Sequence, residues 1–181
     1  MPPLPTLTTD RLRLRPFALS DAAEVQRLAG DRQIADTTLR IPHPYPVGAA
    51  EGWIATHQQT FDLGRALDLA VTLKAGGALI GAIGLSSINH EHLRAEIGYW
   101  VGLPHWGRGY CTEAAREVVR YAFDVLELER VYAHHFSRNP ASGRVMEKIG
   151  MQHEGRLRSH IRKWDRFEDL ELWGILKSAL R

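Results

Sequence analysis

Residues 104–119 read PHWGRGYCTEAAREVV, and in them a glycine-bearing turn runs directly into a helix. Glycine is a poor helix former and usually marks turns, so Gly107-Arg108-Gly109 belongs to a loop. From Thr112 onward the pattern is helical. Ala115, Val118, Val119, Ala122 and Leu126 fall on one apolar stripe. Glu113, Arg116, Glu117, Arg120 and Asp124 cover the other face, with opposite charges three or four positions apart. The first amides of a helix lack intrahelical partners and carry partial positive charge, and glycines leave them open to approach. The stretch is therefore either an ordinary strand-to-helix turn or a cradle for a phosphate, with Thr112 offering a hydroxyl. It is not a Walker loop, because no Gly-Lys-Ser/Thr follows, and it does not complete Gly-x-Gly-x-x-Gly.

Composition narrows the classes. The 181 residues suffice for one substantial core and are short for two. Apolar residues make up 44% and charged residues 24%, an ordinary globular balance. Twenty-three basic against 21 acidic side chains leave a net charge of +2, which argues against nucleic acid as a partner. The single cysteine, Cys111, excludes an internal disulfide framework and points to a reducing compartment. No stretch approaches the ~20 apolar residues of a membrane span, and the opening MPPLPTLTTDRLRLRP lacks a signal-peptide core. The expectation is a cytoplasmic protein without a membrane partner. The histidines show no metal-ligand spacing, and no metal is expected.

Along the chain, RLRLRPF alternates with Leu12, Leu14 and Phe17 inward, a first strand ending at Pro16. Ser20-Asp21 caps a helix carrying Val25, Leu28 and Ala29. The stretch from Asp31 to Val47, with Pro42, Pro44 and Pro46 around His43 and Tyr45, reads as a loop. A helix is expected from Ala49 to Phe61, burying Trp53 and Ile54. LDLAVTLK and ALIGAIGLSS form a hairpin through Ala75-Gly76-Gly77. AEIGYWVG is a strand before the glycine loop, and RVYAHHFS is the strand after its helix. Asn139-Pro140 opens a short helix stopped by Gly150. GRLRSHIRKW and FEDLELWGIL close the chain as a hairpin turning near Asp165-Arg166. There are no repeats or interior linkers, so one α/β domain over residues 1–181 is expected.

AEIGYW, HWGRGYCTEA and SRNPASGRVMEKIGMQHEG together resemble the GNAT N-acetyltransferase superfamily. With the opening TLTTDRLRLRPFALSDAAEV and the closing FEDLELWGILK, the chain resembles the RimJ/RimL branch, which acetylates protein N-termini and other amines. The resemblance covers nearly the whole chain. Its specific part is Trp-Gly-x-Gly-Tyr-x-Thr-Glu-Ala combined with Asn-x-x-Ser-x-x-Val-x-Glu-Lys-x-Gly. It implies a GNAT fold: a mixed, mostly antiparallel sheet flanked by helices and splayed between its fourth and fifth strands. It also implies acetyl-CoA as acyl donor. The loop His105, Trp106, Gly107, Arg108, Gly109 and Tyr110, with Thr112 behind it, would hold the pyrophosphate through main-chain amides. The wider superfamily often begins this loop with Gln or Arg, where this chain has Pro104. Past Glu96 the strand would part from Ala133–Phe136, and the pantetheine arm would pair with backbone near Trp100 and Val101. Asn139 would bond to that arm, and Ser142 would sit near the thioester sulphur.

Acetyl transfer from a thioester to an amine needs a neutral amine, a stabilised oxyanion and a proton or hydrogen bond for the departing thiolate. Glu96 matches the branch's glutamate and is the candidate base. It shares a face with Gly98 and Trp100, opposite Ile97 and Tyr99. His134 and His135, on opposite faces of the next strand, are alternative bases, as is water. Ser142 is the candidate hydrogen-bond donor to sulphur, although Asn139 and Ser142 also read as ordinary capping residues. No tyrosine follows Asn139 to act as acid. At a helix N-terminus the Cys111 thiol would be acidified, but a small packed residue is the better reading. For the amine acceptor, Tyr45, Trp53, Glu91 and Glu96 are candidates, and no acidic cluster of the kind a polyamine calls for is evident. The acceptor classes are a protein N-terminus or a small-molecule amine, and a non-catalytic acyl-CoA sensor is the alternative. The basic stretch RLRSHIRKWDR reads as a solvated strand face or as attraction for an acidic partner or ribosomal RNA. The protein would act as monomer or homodimer.

Overall fold

The computed structural model describes residues 3–180. Its strands are β1 (Leu7–Thr8), β2 (Leu12–Arg15), β3 (Leu67–Leu73), β4 (Leu79–Asn89), β5 (Arg94–Val101), β6 (Arg130–Phe136), β7 (Gln152–Lys163) and β8 (Arg166–Leu176). They form one sheet in the order β1-β2-β3-β4-β5-β6-β8-β7. Every neighbouring pair is antiparallel except β5 and β6. The helices are α1 (Ala22–Ala29), α2 (Arg32–Thr37), α3 (Ala49–Ala55), α4 (His57–Asp62), α5 (Tyr110–Asp124) and α6 (Pro140–Lys148).

β3 and the first seven residues of β4, Leu79 to Leu85, are almost entirely buried, because each of their faces is covered by helices. That is why both read as apolar runs instead of alternating. Beneath α5 and α6 lie Leu67, Leu69, Ile97, Val101, Val131 and Ala133. On the other face α1 and α3 bring Val25, Ala29, Ala50 and Ile54 onto Ala70 and Leu79. Helix α5 starts at Tyr110, two residues before the expected Thr112, and buries Ala114 and Phe123 beside the predicted stripe.

Three local expectations change. The loop expected from Asp31 to Val47 contains α2, because the Asp31 carboxylate accepts from the Gln33 amide (2.8 Å) and Ile34 and Ala35 are buried. The helix expected over 49–61 breaks at Thr56, whose hydroxyl donates to Trp53 O (2.8 Å) and closes α3. Asp21 does not cap α1 with its side chain. Its carboxylate accepts from Ala18 N at 2.8 Å and pairs with Arg15 at 2.7 Å, holding the turn before the helix.

The feature that positions the site is the junction of β5 and β6. Their parallel ladder covers only Arg94↔Arg130, Ala95↔Val131 and Glu96↔Tyr132. Beyond it β5 continues to Val101 and β6 to Phe136 unpaired with each other, so the sheet splits open. This is the expected splay. It falls one strand later in the count than expected because the two-residue β1 precedes the strand at Leu12.

Candidate active site

The glycine loop follows directly on the unpaired end of β5, the strand that forms one side of this split. Gly107 and Gly109 have φ of 73° and 80°, left-handed values that glycine adopts without strain. The amides of His105 and Trp106 close back onto Gly102 and Leu103 carbonyls, and Glu113 N makes the first bond of α5, to Gly109 O. Between them the amides of Tyr110, Cys111 and Thr112 precede any intrahelical bond. A methyl group built on Gly107 would meet nothing within 4 Å, and one on Gly109 only Arg11 Nη2 at 3.5 Å. The loop is thus an open, donor-lined turn at the start of a 15-residue helix, and it fits a diphosphate. Arg108 is exposed at its rim.

A clamp absent from the sequence reading holds the loop. Arg11 donates from Nη1 to Arg108 O (3.0 Å) and from Nε to Glu113 Oε2 (2.6 Å), and its guanidinium lies 4.7 Å from the Tyr110 ring centroid. Thr9 Oγ1 and the Arg11 amide complete the shell around Glu113, whose carboxyl these hydrogen bonds hold below the usual range against its partial burial. Arg11 is one of several arginines in an alternating stretch, just ahead of β2, and only the tertiary fold singles it out.

The register pairs Gly81 with Val101, and Gly102 N donates to Ile80 O (2.9 Å). Alternation then turns the main chain of Trp100 toward β4 and gives Tyr99 and Val101 the edge facing the split. Trp100 therefore contributes its side chain, not its main chain, to this space, and the pairing expected near Trp100 and Val101 falls to Tyr99 and Val101. The Trp106 indole donates to Val101 O (2.5 Å), fixing the end of that edge to the loop.

A cavity of about 520 Å³ passes through the split, lined by Tyr45, Trp53, Glu96, Trp100, His134 and Ser142 among others. On the α1/α3 side, Glu96 Oε1 lies 3.4 Å from His134 Nδ1. The two candidate bases are thus one pair. His135 turns the other way. Its Nδ1 is 2.8 Å from Phe136 O, which that ring nitrogen donates to, and its Nε2 is buried without a partner against Gly143. Burial pushes its pKa down.

On the α6 side, Asn139 caps the helix, its Oδ1 accepting from Ser142 N (3.4 Å). Ser142 meets a tyrosine after all. Tyr99 Oη lies 3.1 Å from both Ser142 O and Ser142 Oγ, and burial raises its pKa, so the phenol stays protonated. With Tyr99 donating to Ser142 Oγ, the Ser142 hydroxyl proton is free to turn into the split.

Two acceptor-side features were not foreseen. Asp68 on β3 enters the cavity wall, and no hydrogen bond or ion pair reaches its carboxylate among the described residues. Burial raises its pKa from 3.8 to about 6, with Arg40 pulling weakly the other way. The signal was present: a charged residue in a strand otherwise buried on both faces. Second, buried Lys163, at the tip of the β7–β8 hairpin, donates to Leu39 O (3.1 Å) and Ile41 O (2.9 Å), anchoring the loop that roofs the cavity. Other cations of the basic hairpin are also engaged: Arg156 with Asp169, and Arg166 with Asp36 and Glu168. Glu91 lies exposed in the β4–β5 turn, outside the cavity wall.

Cys111 packs against the core, and burial pushes its thiol up to about 12, overriding the acidifying helix terminus. Among the described residues no helix is long and apolar enough to cross a membrane, and no group of three or more ligating side chains could hold a metal ion.

Comparison with known proteins accords with this architecture. Residues 11–152 match the family model described as "Acetyltransferase (GNAT) domain". The "Uncharacterized N-acetyltransferase p20" of Bacillus licheniformis is 31% identical over 172 residues, spanning 95% of this chain and 96% of that protein. The "Spermidine N(1)-acetyltransferase" of Vibrio cholerae is 30% identical over 100 residues, 55% of this chain and 58% of that one. Mycobacterium smegmatis RimJ, solved with CoA-disulfide, superposes with a TM-score of 0.88 at 23% identity, over 97% of this chain and 89% of that one. With most of its length matched by the family model and its sheet split where that fold requires, the chain belongs to the GNAT acetyltransferase family.

Proposed function

We propose that this chain transfers an acetyl group from acetyl-CoA directly to a primary amine. The observation that carries the reading is the parting of β5 from β6 immediately after Glu96, with the Glu96–His134 pair at the start of the split and the open glycine loop following the freed end of β5. The amides from Gly107 to Thr112 would hold the diphosphate, those of His105 and Trp106 being spent on Gly102 and Leu103, and the Tyr99–Val101 edge would align the pantetheine arm. When bound, acetyl-CoA supplies an activated acyl carbon. Glu96, alone or through His134 or a water, takes the proton that the attacking nitrogen sheds as its bond to that carbon forms. Ser142, its hydroxyl freed by Tyr99, donates a hydrogen bond to the sulphur as the carbon–sulphur bond breaks. A main-chain amide on the Tyr99–Val101 edge faces the developing oxyanion. Asn139 would add a contact to the arm from the cap of α6.

The acceptor enters from the α1/α3 face, past Tyr45 and Trp53. The RimJ/RimL resemblance favours a protein N-terminus. The roof tied down by Lys163 favours a small amine, as does a relative named for spermidine. A cytoplasmic location completes the proposal, supported by a lone, packed thiol. The test is CoA release from acetyl-CoA over a panel of N-terminal peptides, polyamines, amino acids and aminoglycosides, with Cys111→Ala as control for thiol detection. Acceleration by one amine class supports transfer. Tight acetyl-CoA binding with no acceleration by any amine would replace it with an acyl-CoA sensor.

A further inference from the structure

The floor of the acceptor cavity has an unusual composition. From Asp68 on β3 the register runs across Gly84 on β4 to Gly98 on β5, and Glu96 lies two residues before Gly98. Neither glycine has a side chain to fill this floor. A methyl group on Gly84 would sit 2.3 Å from Leu67 O, which forbids any larger residue there, and 3.0 Å from Asp68 Oδ1, so Asp68 leans over Gly84. A methyl group on Gly98 would meet nothing within 4 Å, so the floor is open toward Glu96. At a strand spacing of about 4.8 Å and a rise of about 3.4 Å per residue, the Cα atoms of Asp68 and Glu96 are roughly 12 Å apart. Above this floor stand the aromatic side chains of Tyr45, Trp53 and Trp100.

Asp68 is not explained by the fold. Nothing among the described residues bonds to it, and Arg40, the one cation whose field reaches it, is exposed and not within ion-pair distance. Asp68 is partly buried, and a carboxylate that loses part of its hydration without gaining a partner is costly to a protein. In an aromatic-walled cavity it is also the group that would bind a cation.

We propose that Asp68 is a specificity-determining residue that receives a second cationic group of the acceptor, which makes that acceptor an aliphatic diamine. One nitrogen of the diamine reacts beside Glu96 while the other, kept as an ammonium, pairs with Asp68 at the far end of the glycine floor. The alkyl chain between them lies over Gly84 and Gly98, against the aromatic wall. This assignment rests on the proposed acetyl transfer for its reacting end, but the ammonium site stands on its own geometry.

Two measurements separate the two. The first is steady-state CoA release with putrescine, cadaverine and hexamethylenediamine against butylamine, pentylamine and hexylamine. The preferred diamine should exceed its monoamine at least tenfold in kcat/KM, the difference residing mainly in KM. In Asp68→Asn, a near-isosteric change, that ratio should fall toward one. The second is calorimetric binding of the same diamines to the CoA-loaded protein, with aminopentanol replacing the second ammonium by a hydroxyl so that no variant is needed. Cadaverine should bind at least tenfold more tightly than aminopentanol. A cadaverine preference over aminopentanol in binding, without turnover, would retain the ammonium site and overturn acetyl transfer. Turnover with equal preference for diamines and monoamines, or with a ratio unmoved by Asp68→Asn, would overturn the ammonium site and leave acetyl transfer standing. A peptide amine outpacing every diamine irrespective of Asp68 would likewise overturn it.

Discussion

Replacing Asp68 by asparagine should stabilise the unliganded protein near neutral pH, although it removes a residue assigned to substrate. Burial holds the acid form of Asp68 from its ordinary 3.8 up to about 6. At about 1.4 kcal/mol per unit, ionising it inside the fold costs about 3 kcal/mol more than in the unfolded chain. The native state therefore keeps its proton over a range where the unfolded state has lost it, and stability falls as pH rises from about 4 to about 6. Above that range the full penalty is present; below about 4 both states are protonated and it vanishes. The groups facing Asp68 are Arg40 from the roof, Glu96 and His134 from the sheet, and Tyr45. Of these, Arg40 is the one whose charge moves the Asp68 titration. Asparagine cannot ionise, but its partly buried amide keeps some desolvation cost, so a net gain of about 2 kcal/mol is expected at about pH 7. For a chain of this size that is about 4–8 °C in melting temperature. The assay is thermal or urea unfolding of both proteins, without ligands, at about pH 7 and about pH 4. The gain should be present at the first pH and absent at the second. Equal differences at both, or a less stable variant near neutrality, would refute the picture of an unpartnered, partly buried carboxylate.

Further outcomes are expected elsewhere. Glu96→Gln should lower kcat by roughly 10²-fold to 10⁴-fold with acetyl-CoA affinity nearly intact by calorimetry; a normal rate would move the base to His134 or water. Gly107→Val puts a branched side chain at a φ of 73° and should weaken acetyl-CoA binding about tenfold or more; an unchanged Kd would refute the cradle. His57 is buried with both ring nitrogens unpartnered, its ring centroid 4.5 Å from Trp53, and burial pushes its pKa from 6.5 to about 4. A depressed base is neutral in the fold, so its contribution is intact above about 6.5 and is lost as pH falls toward about 4. His57→Phe should flatten that acid loss, as followed by melting temperature against pH. With its thiol at about 12, Cys111 should resist iodoacetamide in the native protein and react only after unfolding, as read by mass spectrometry.

The strand alternation, the α5 stripe and the glycine turn were legible because each rests on local periodicity. The split of the sheet was legible only through resemblance to a family, since nothing in AEIGYW says where pairing with RVYAHHFS stops. What was missed came from long-range placement. Tyr99 was assigned to the face opposite Glu96, and it does lie there. That Ser142 is waiting on that side, 3.1 Å away, depends on how α6 packs. Helix α2 was hidden by the prolines that follow it, which outweighed the cap at Asp31. No acidic pairing is legible in sequence, because Asp68 and Glu96 reach the same sheet face only through the register of three strands.

The hold of Lys163 on Leu39 and Ile41 has a consequence for how such an enzyme diversifies. The parts assigned to the thioester, from Tyr99 to Ser142, are encoded in the middle of the chain. The roof over the other substrate is fastened by a hairpin tip near its end, where insertions and charge changes disturb neither the glycine loop nor the parted strands. Selection can therefore retune which amine is accepted by editing a remote turn while the acyl-donor half stays fixed. Two lineages could share one donor and diverge in diet through a few residues around position 163.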